Sequence, residues 1–317
     1  MSALIHSRAN VNDDPQRTTE DRAQTASADH ARAGVLYAGG AFFAWGLFPI
    51  YFRALGRVSP HEIIAHRVLW SALLLALVQG IGRGYGKLRA LLRQPRAVAG
   101  LVLTSALITS NWLTFVWAVN AGRVLDTSLG YFLTPQVNVL LGSLFLGERL
   151  RRTQWLAVAL AAAGVVNQVI LLGQLPWISL VLAVTFGSYG LFRKRIDVDP
   201  ATGLLVETML AAPVALGYLI HLAHTSSLAF SHQSRLLDGL LILLGPITAV
   251  PLMMFAAGAR RLRLATVGFM QYLTPSLTFL LAVFVFGEPL GFARAFTFAL
   301  IWAGVGLYAL DSARARR

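Results

Sequence analysis

Cysteine is absent from all 317 residues, which excludes disulfides, thiolate metal sites and cysteine nucleophiles while leaving the redox compartment open. Charge is scarce as well. Only 13% of the residues are Asp, Glu, Lys or Arg, against about 25% in soluble proteins, too few to cover a globule of this size. Acidic residues are the scarcer sign, 14 against 27 Lys and Arg, giving a formal charge of +13. In a soluble chain that excess would suggest nucleic acid. Here the cations sit between apolar runs, which points to lipid headgroups and away from a nucleic-acid partner.

Catalytic signatures are missing too: the chain has no HExxH and no GxSxG. The run GIGRGYGKL (80–88) fails the Walker A spacing, because Ile81 stands five residues before Gly86 and Leu88 follows Lys87. His221 and His224, three apart with no carboxylate nearby in sequence, make a weak metal pair. No metal, no cofactor and no enzymatic activity are therefore expected. A membrane-embedded enzyme or a passive channel stands as the alternative to the reading developed below.

What the chain does contain is hydrophobic residues, 56% of the total, against about 45–50% in soluble proteins. Past residue 33, apolar runs recur that are each long enough to cross a ~30 Å hydrocarbon core. They predict ten helices near 34–55, 61–82, 97–120, 124–147, 153–173, 176–193, 201–222, 236–258, 264–287 and 289–310. The fold class is thus all-α and polytopic, with the lipid bilayer as the first partner. Residues 1–33 are polar, with Asp13, Asp14, Glu20, Asp21 and Asp29, and read as a disordered cytoplasmic tail. Without the basic start and apolar h-region of a secretory signal, insertion is expected to fall to the first transmembrane helix. Residues 311–317 form a short basic tail. Counting from an inside N-terminus, inner segments hold 21 Lys and Arg, outer connections hold 5, and Arg67 lies within a helix. That bias predicts both termini in the cytoplasm.

The chain also repeats itself at an offset of 140 residues. GYFLTPQVNVLLGSLFLGERL (130–150) falls on MQYLTPSLTFLLAVFVFGEPL (270–290), and Leu133, Thr134, Pro135, Leu140, Leu141, Gly147, Glu148 and Leu150 all recur. Pro60 maps to Pro200 and Gly164 to Gly304. Since 140 residues contain five spans, an odd number, the second half must be inverted relative to the first. Two inverted five-helix repeats, 34–173 and 176–310, are the signature of secondary transporters that expose a midplane site alternately to each side. The stretches EIIAHRVLWS (62–71), NWLTFVWAVN (111–120), SLGYFLTP (128–135), FGSYGLFRK (186–194), GLLVETML (203–210), TAVPLMMFA (248–256) and GFMQYLTP (268–275) resemble the EamA-type drug/metabolite transporters, and among them the RarD family. The resemblance implies an inner-membrane permease of two EamA repeats acting on a small-molecule solute. The family label is associated by name with chloramphenicol sensitivity and does not settle the physiological solute.

Ionisable residues inside a span are costly, about 2.5–3.5 kcal/mol on insertion scales, and need a partner or water. Glu62 and His66 lie four apart on one face of the second helix, Arg67 is adjacent, and Glu207 lies in the seventh. The offset pairs Arg67 with Glu207. From the helix starts, the two are separated by ~10 Å in depth, so direct pairing would need long reach, a kink or water. One reading makes Arg67 an anchor for an anionic group and His66, Glu62 or Glu207 a proton-coupling site. The other has Glu62, His66 and Arg67 satisfy one another or an adjacent loop near the outer interface.

Tyr131, Thr134, Asn138 and Gly142 share one face of the fourth helix, and their images on the ninth are Gln271, Thr274, Thr278 and Ala282. These stripes fit either a solute route or polar glue between helices; on the first reading Val137 and Leu277 face lipid. Asn111 and Trp112, with Tyr272, extend the candidate solute-binding set, and Trp45, Trp117 and Tyr189 add aromatic surface that equally suits packing. Ala159, Ala163 and Gly164, with Ala299, Ala303 and Gly304, form small-residue faces suited to close packing within the fold or across a homodimer.

Overall fold

The computed structural model describes residues 15–314 apart from 83–84, 147–150, 260 and 263–269. Helices α1 (Pro15–Gly46) and α2 (Phe48–Ala54) form one broken span, followed by α3 (Pro60–Ile81), the short α4 (Tyr85–Leu92), α5 (Pro95–Asn120), α6 (Val124–Leu146) and α7 (Arg152–Leu172). The second half comprises α8 (Trp177–Arg195), α9 (Pro200–His224), α10 (Arg235–Ala259), α11 (Leu273–Leu280) with a π-helical stretch Leu281–Val285, and α12 (Phe292–Arg314). Helices α3 and α5 to α10 begin within two residues of their predicted starts. Among the described residues, six spans, from Arg32–Ala54 to Arg235–Gly258, are long and apolar enough to cross a membrane. Large apolar side chains face outward along these spans and along the shorter apolar helices Leu273–Val285 and Phe292–Leu307. Leu36, Ile81, Val214, Phe284 and Phe292 are each more than 70% exposed, a surface that water would not tolerate and lipid would cover.

One expectation is corrected at the start of the chain. Helix α1 begins at Pro15, so residues 15–33 are helical where the composition suggests disorder. Proline suits a first helical turn, and the Ala-rich stretch through Ala33 has the propensity to continue the helix back from the span.

Local chemistry repeats along with the sequence. Ser59 caps α3 by accepting from the Glu62 N–H at 3.2 Å, and Asp199 caps α9 by accepting from the Thr202 N–H at 3.2 Å. Each cap is followed by a proline at the first helical position. The break between α1 and α2 falls at Leu47, two residues before Pro49, whose missing N–H interrupts the helical ladder.

The packing has the same two-fold pattern. Helices α7 and α12, α3 and α9, and α6 and α11 pair with their own repeat images, while α6 on α8 is matched by α11 on α1, α1 on α10 by α8 on α5, and α3 on α10 by α9 on α5. Among the described residues, exchanging the halves carries each of these pairings onto another or onto itself, as an inverted repeat requires. Small residues set the close approaches. A Cβ at Gly164 would meet Ile301 at 3.2 Å, and one at Gly304 would meet the Ala157 carbonyl at 2.9 Å. The glycines thus hold α7 and α12 together within the chain, while Ala159, Ala163, Ala299 and Ala303 remain exposed.

The expected lipid-facing positions need correcting. Val137 lies against Gly187, and Leu277 lies against Gly46, so both fill glycine notches at repeat-related helix contacts. Helical spacing shows which residues share a face; it does not show which neighbouring helix has the notch.

Candidate functional site

Arg67 is the charged residue most completely enclosed by neutral groups. It sits on the second turn of α3 and is 5% exposed. Its Nε donates to Thr248 Oγ1 at 3.0 Å. That hydroxyl gives its own proton to the Leu244 carbonyl at 2.8 Å, which fixes it as an acceptor. Gly245 lets α10 come close enough for this contact, since a Cβ there would meet the Trp70 carbonyl at 2.7 Å. The guanidinium carbon lies 4.0 Å from the centroid of Trp112, with Phe48 and Phe52 at 5.7 and 5.8 Å. Such cation–π contacts help a desolvated cation, by about 2 kcal/mol at most sites of this kind, less than a counter-ion would. Among the described residues no carboxylate pairs with Arg67. The site joins α2, α3 and α5 of the first repeat to α10 of the second.

Glu207, the repeat image of Arg67, is in the opposite situation. It is 1% exposed and accepts from Thr104 Oγ1 at 2.6 Å and from the Tyr189 hydroxyl at 3.3 Å. Arg193 Nε lies 3.6 Å from the carboxylate. Gly203 makes room for that guanidinium, which any Cβ at 203 would strike. The Arg67 to Glu207 contact weighed from the repeat does not form; each residue finds other partners.

Glu62 and Glu288 both grip backbone. Glu62 accepts from the N–H groups of Ala229 at 2.8 Å and Phe230 at 3.2 Å, anchoring the α9–α10 loop of the other half. Glu288 accepts from Val124 at 2.6 Å and Leu125 at 2.9 Å, capping α6 from the loop before α12. Gly287, at φ +66°, makes the turn that brings this carboxylate back, a conformation glycine adopts without strain. Burial pushes the Glu288 carboxyl above its ordinary range, against the lowering effect of the two N–H groups. Its repeat counterpart Glu148 lies outside the described residues. His66 accepts from Trp70 Nε1 at 3.2 Å through Nδ1, so its neutral form carries the proton on Nε2, 4.0 Å from Glu62 Oε1.

The stripes on α6 and α11 behave unevenly. Tyr131 donates to Asn111 Oδ1 at 3.2 Å, and Asn111 Nδ2 donates to the Leu182 carbonyl and Thr185 Oγ1, tying α5, α6 and α8 together. Thr134 donates to the carbonyl of Gly130 in its own helix, and Thr274 reaches across to the Phe42 carbonyl at 2.8 Å. Thr278 is fully buried with no hydrogen-bond partner for its hydroxyl, while Asn138 is exposed beside Gly187. Gln271 and Tyr272 lie in the turn before α11, with Tyr272 stacked on Phe132 at 6.3 Å. Among the aromatics, Trp45 packs on Phe42 and Phe255, and Trp117 on Trp177. Of the candidates, Trp112 joins Arg67 directly, and Tyr131 connects to the same wall through Phe115 and Phe52.

The EamA-like transporter family model matches this chain twice, over residues 32–168 and 175–310. The chain belongs to the EamA-like transporter family. It is 46% identical to an uncharacterized transporter of Vibrio cholerae over 291 residues, covering 92% of this chain and 96% of that protein. It is 45% identical to Protein RarD of Escherichia coli over 290 residues, 92% and 98% of the two chains. A solved crystal structure superposes with a TM-score of 0.56 at 21% identity, covering 90% of this chain and 99% of the other, a likeness of fold. This EamA-type chain is a multi-pass bacterial membrane transporter of the RarD family.

Sequence reasoning missed three members of the buried sites in this transporter. Thr248 opens the TAVPLMMFA motif, and Thr104 precedes Arg67's neighbour Trp112 by two turns; neither is ionisable, so neither drew attention. Arg193 is ionisable, but beside Lys194 and Arg195 at the end of the expected helix 176–193 it reads as part of an inner basic segment. Its position within FGSYGLFRK, one turn after Tyr189, is the signal that could have placed it on the helix.

Proposed function

We propose that this transporter is a secondary-active carrier of a small organic solute, held where the two repeats meet, beside Arg67 and Trp112. Two five-helix units, 34–173 and 176–310, rock against each other to open that site to either side of the bacterial inner membrane, with both termini in the cytoplasm. The observation that carries this reading is a guanidinium enclosed by neutral walls at the junction of the halves. Such a group is costly to keep, and its remaining donors have a use when a solute arrives. Glu207 is the coupling residue, since a proton added there releases Arg193 and changes the contact between α8 and α9. His66 is the second candidate. Glu62, already engaged by two backbone N–H groups, is more a brace than a relay. Tyr131, Asn138 and Thr278 border the path.

The test is counterflow into proteoliposomes loaded with a low-molecular-weight cell extract, read by mass spectrometry against protein-free liposomes. Saturable exchange of particular solutes that is lost in Arg67→Ala supports the carrier. Chemical turnover of a solute would make the protein an enzyme, and non-saturating conductance a channel.

A further inference from the structure

We infer that the Arg67 site takes a singly charged organic carboxylate whose apolar, planar body lies against Trp112, Phe48 and Phe52. The inference rests on the carrier reading and adds the chemical class of the solute.

A guanidinium has five N–H donors in one plane. Arg67 uses its Nε on Thr248, and its terminal nitrogens have no hydrogen-bond partner among the described residues. The residue as a whole keeps 5% of its surface accessible. The guanidinium carbon lies 4.0 Å from the Trp112 centroid, and Thr248 occupies the Nε position on the side edge. The end-on edge, formed by the two terminal nitrogens, is left. Two parallel N–H donors on that edge match the two oxygens of a carboxylate.

Charge limits the class further. Among the described residues, no second Lys, Arg or His makes an ion pair, hydrogen bond or cation–π contact with Trp112, Phe48, Phe52, Thr248 or Tyr131. One positive charge balances one negative charge. A phosphate dianion or dicarboxylate would bring a surplus charge into a low-dielectric site, at a cost that nothing there offsets. The rings beside the cation fix the rest of the molecule, because a carboxylate held on the end-on edge must extend its body along the aromatic wall. An aromatic body gains most there through offset or edge contacts. With Arg67 5% exposed, the site is closed in this structure, and entry accompanies separation of the halves.

The experiment measures thermal unfolding of the purified protein in lipid nanodiscs with benzoate, phenylacetate and indole-3-acetate, each paired with its amide, and with inorganic phosphate. At least one carboxylate is expected to raise the midpoint saturably, as a ligand of the folded state must, while its amide does not. Arg67→Lys keeps the charge, loses the fork, and should weaken the apparent affinity about tenfold; Trp112→Ala should weaken it by a similar factor while Trp112→Phe largely preserves it. Equal shifts from acid and amide, a shift from phosphate alone, no shift from any carboxylate, or full affinity in Arg67→Lys would each overturn the inference. Binding that depends on Arg67 without counterflow would sink the carrier and leave the site standing. Counterflow confined to neutral solutes would do the reverse.

Discussion

Arg67 and Glu207 occupy the same place in the two repeats, yet one is surrounded by partners and the other by rings. Glu207 has a cation, a threonine hydroxyl and a tyrosine hydroxyl within reach. Arg67 has one neutral hydroxyl and three aromatic faces. Inverted symmetry relates the backbones and leaves the chemistry free to diverge. The difference separates a buried charge that the fold has compensated from one that it has left for something else, and stability measurements should distinguish them.

The largest expected effect is at the compensated site. Arg193→Ala leaves the Glu207 carboxylate buried without its cation and should cost about 3–5 kcal/mol, read as a lower unfolding midpoint and poor yield from detergent. Combining it with Glu207→Gln should recover part of that loss, with a coupling of about 0.5–3 kcal/mol in a double-mutant cycle. Additive losses would mean that the pair is an incidental contact and the contrast with Arg67 false.

Next come the two backbone grips. Glu288→Ala strands the N–H groups of Val124 and Leu125, and Glu62→Ala strands those of Ala229 and Phe230. Each should cost about 1–3 kcal/mol. In hydrogen exchange, the first should loosen the start of α6 and the second the α9–α10 loop. If exchange changes instead around Arg67 in both, the braces and the solute site are one unit.

The smallest effects sharpen the reading of the two stripes. Thr274→Val removes a bond between α11 and α1 and should cost roughly 0.6 kcal/mol, the average for interhelical bonds in membranes. Thr134→Val removes a bond within its own helix and should change the midpoint less. Thermal unfolding of the two variants side by side checks the order.

The helix starts were legible because a bilayer imposes an apolar run of nearly fixed length on a span; α3 and α5 start at Pro60 and Pro95, one and two residues from where hydropathy and proline put them. The repeat was legible because Leu-Thr-Pro and Gly-Glu recur at one offset. The partners of the buried charges were not. Arg193 looks like any loop cation until α8 is seen to extend to Arg195, and Glu62 gives no hint in sequence that its acceptors' mates are two N–H groups some 167 residues away. Val137 and Leu277 failed for a related reason, since a glycine on a neighbouring helix turns an apparently outward position into a contact. Periodicity speaks of one helix at a time, and the Arg67 site is made by four.

The central claim is that Arg67 serves the solute more than the fold. Arg67→Leu tests it most directly, with unfolding midpoint and counterflow measured on the same nanodisc and proteoliposome preparations, next to Arg193→Ala. Replacing an uncompensated buried charge by an apolar side chain is neutral or stabilising. The account therefore predicts a midpoint at or above that of the parent together with abolished counterflow. A midpoint that falls as far as that of Arg193→Ala, with counterflow intact, would contradict it.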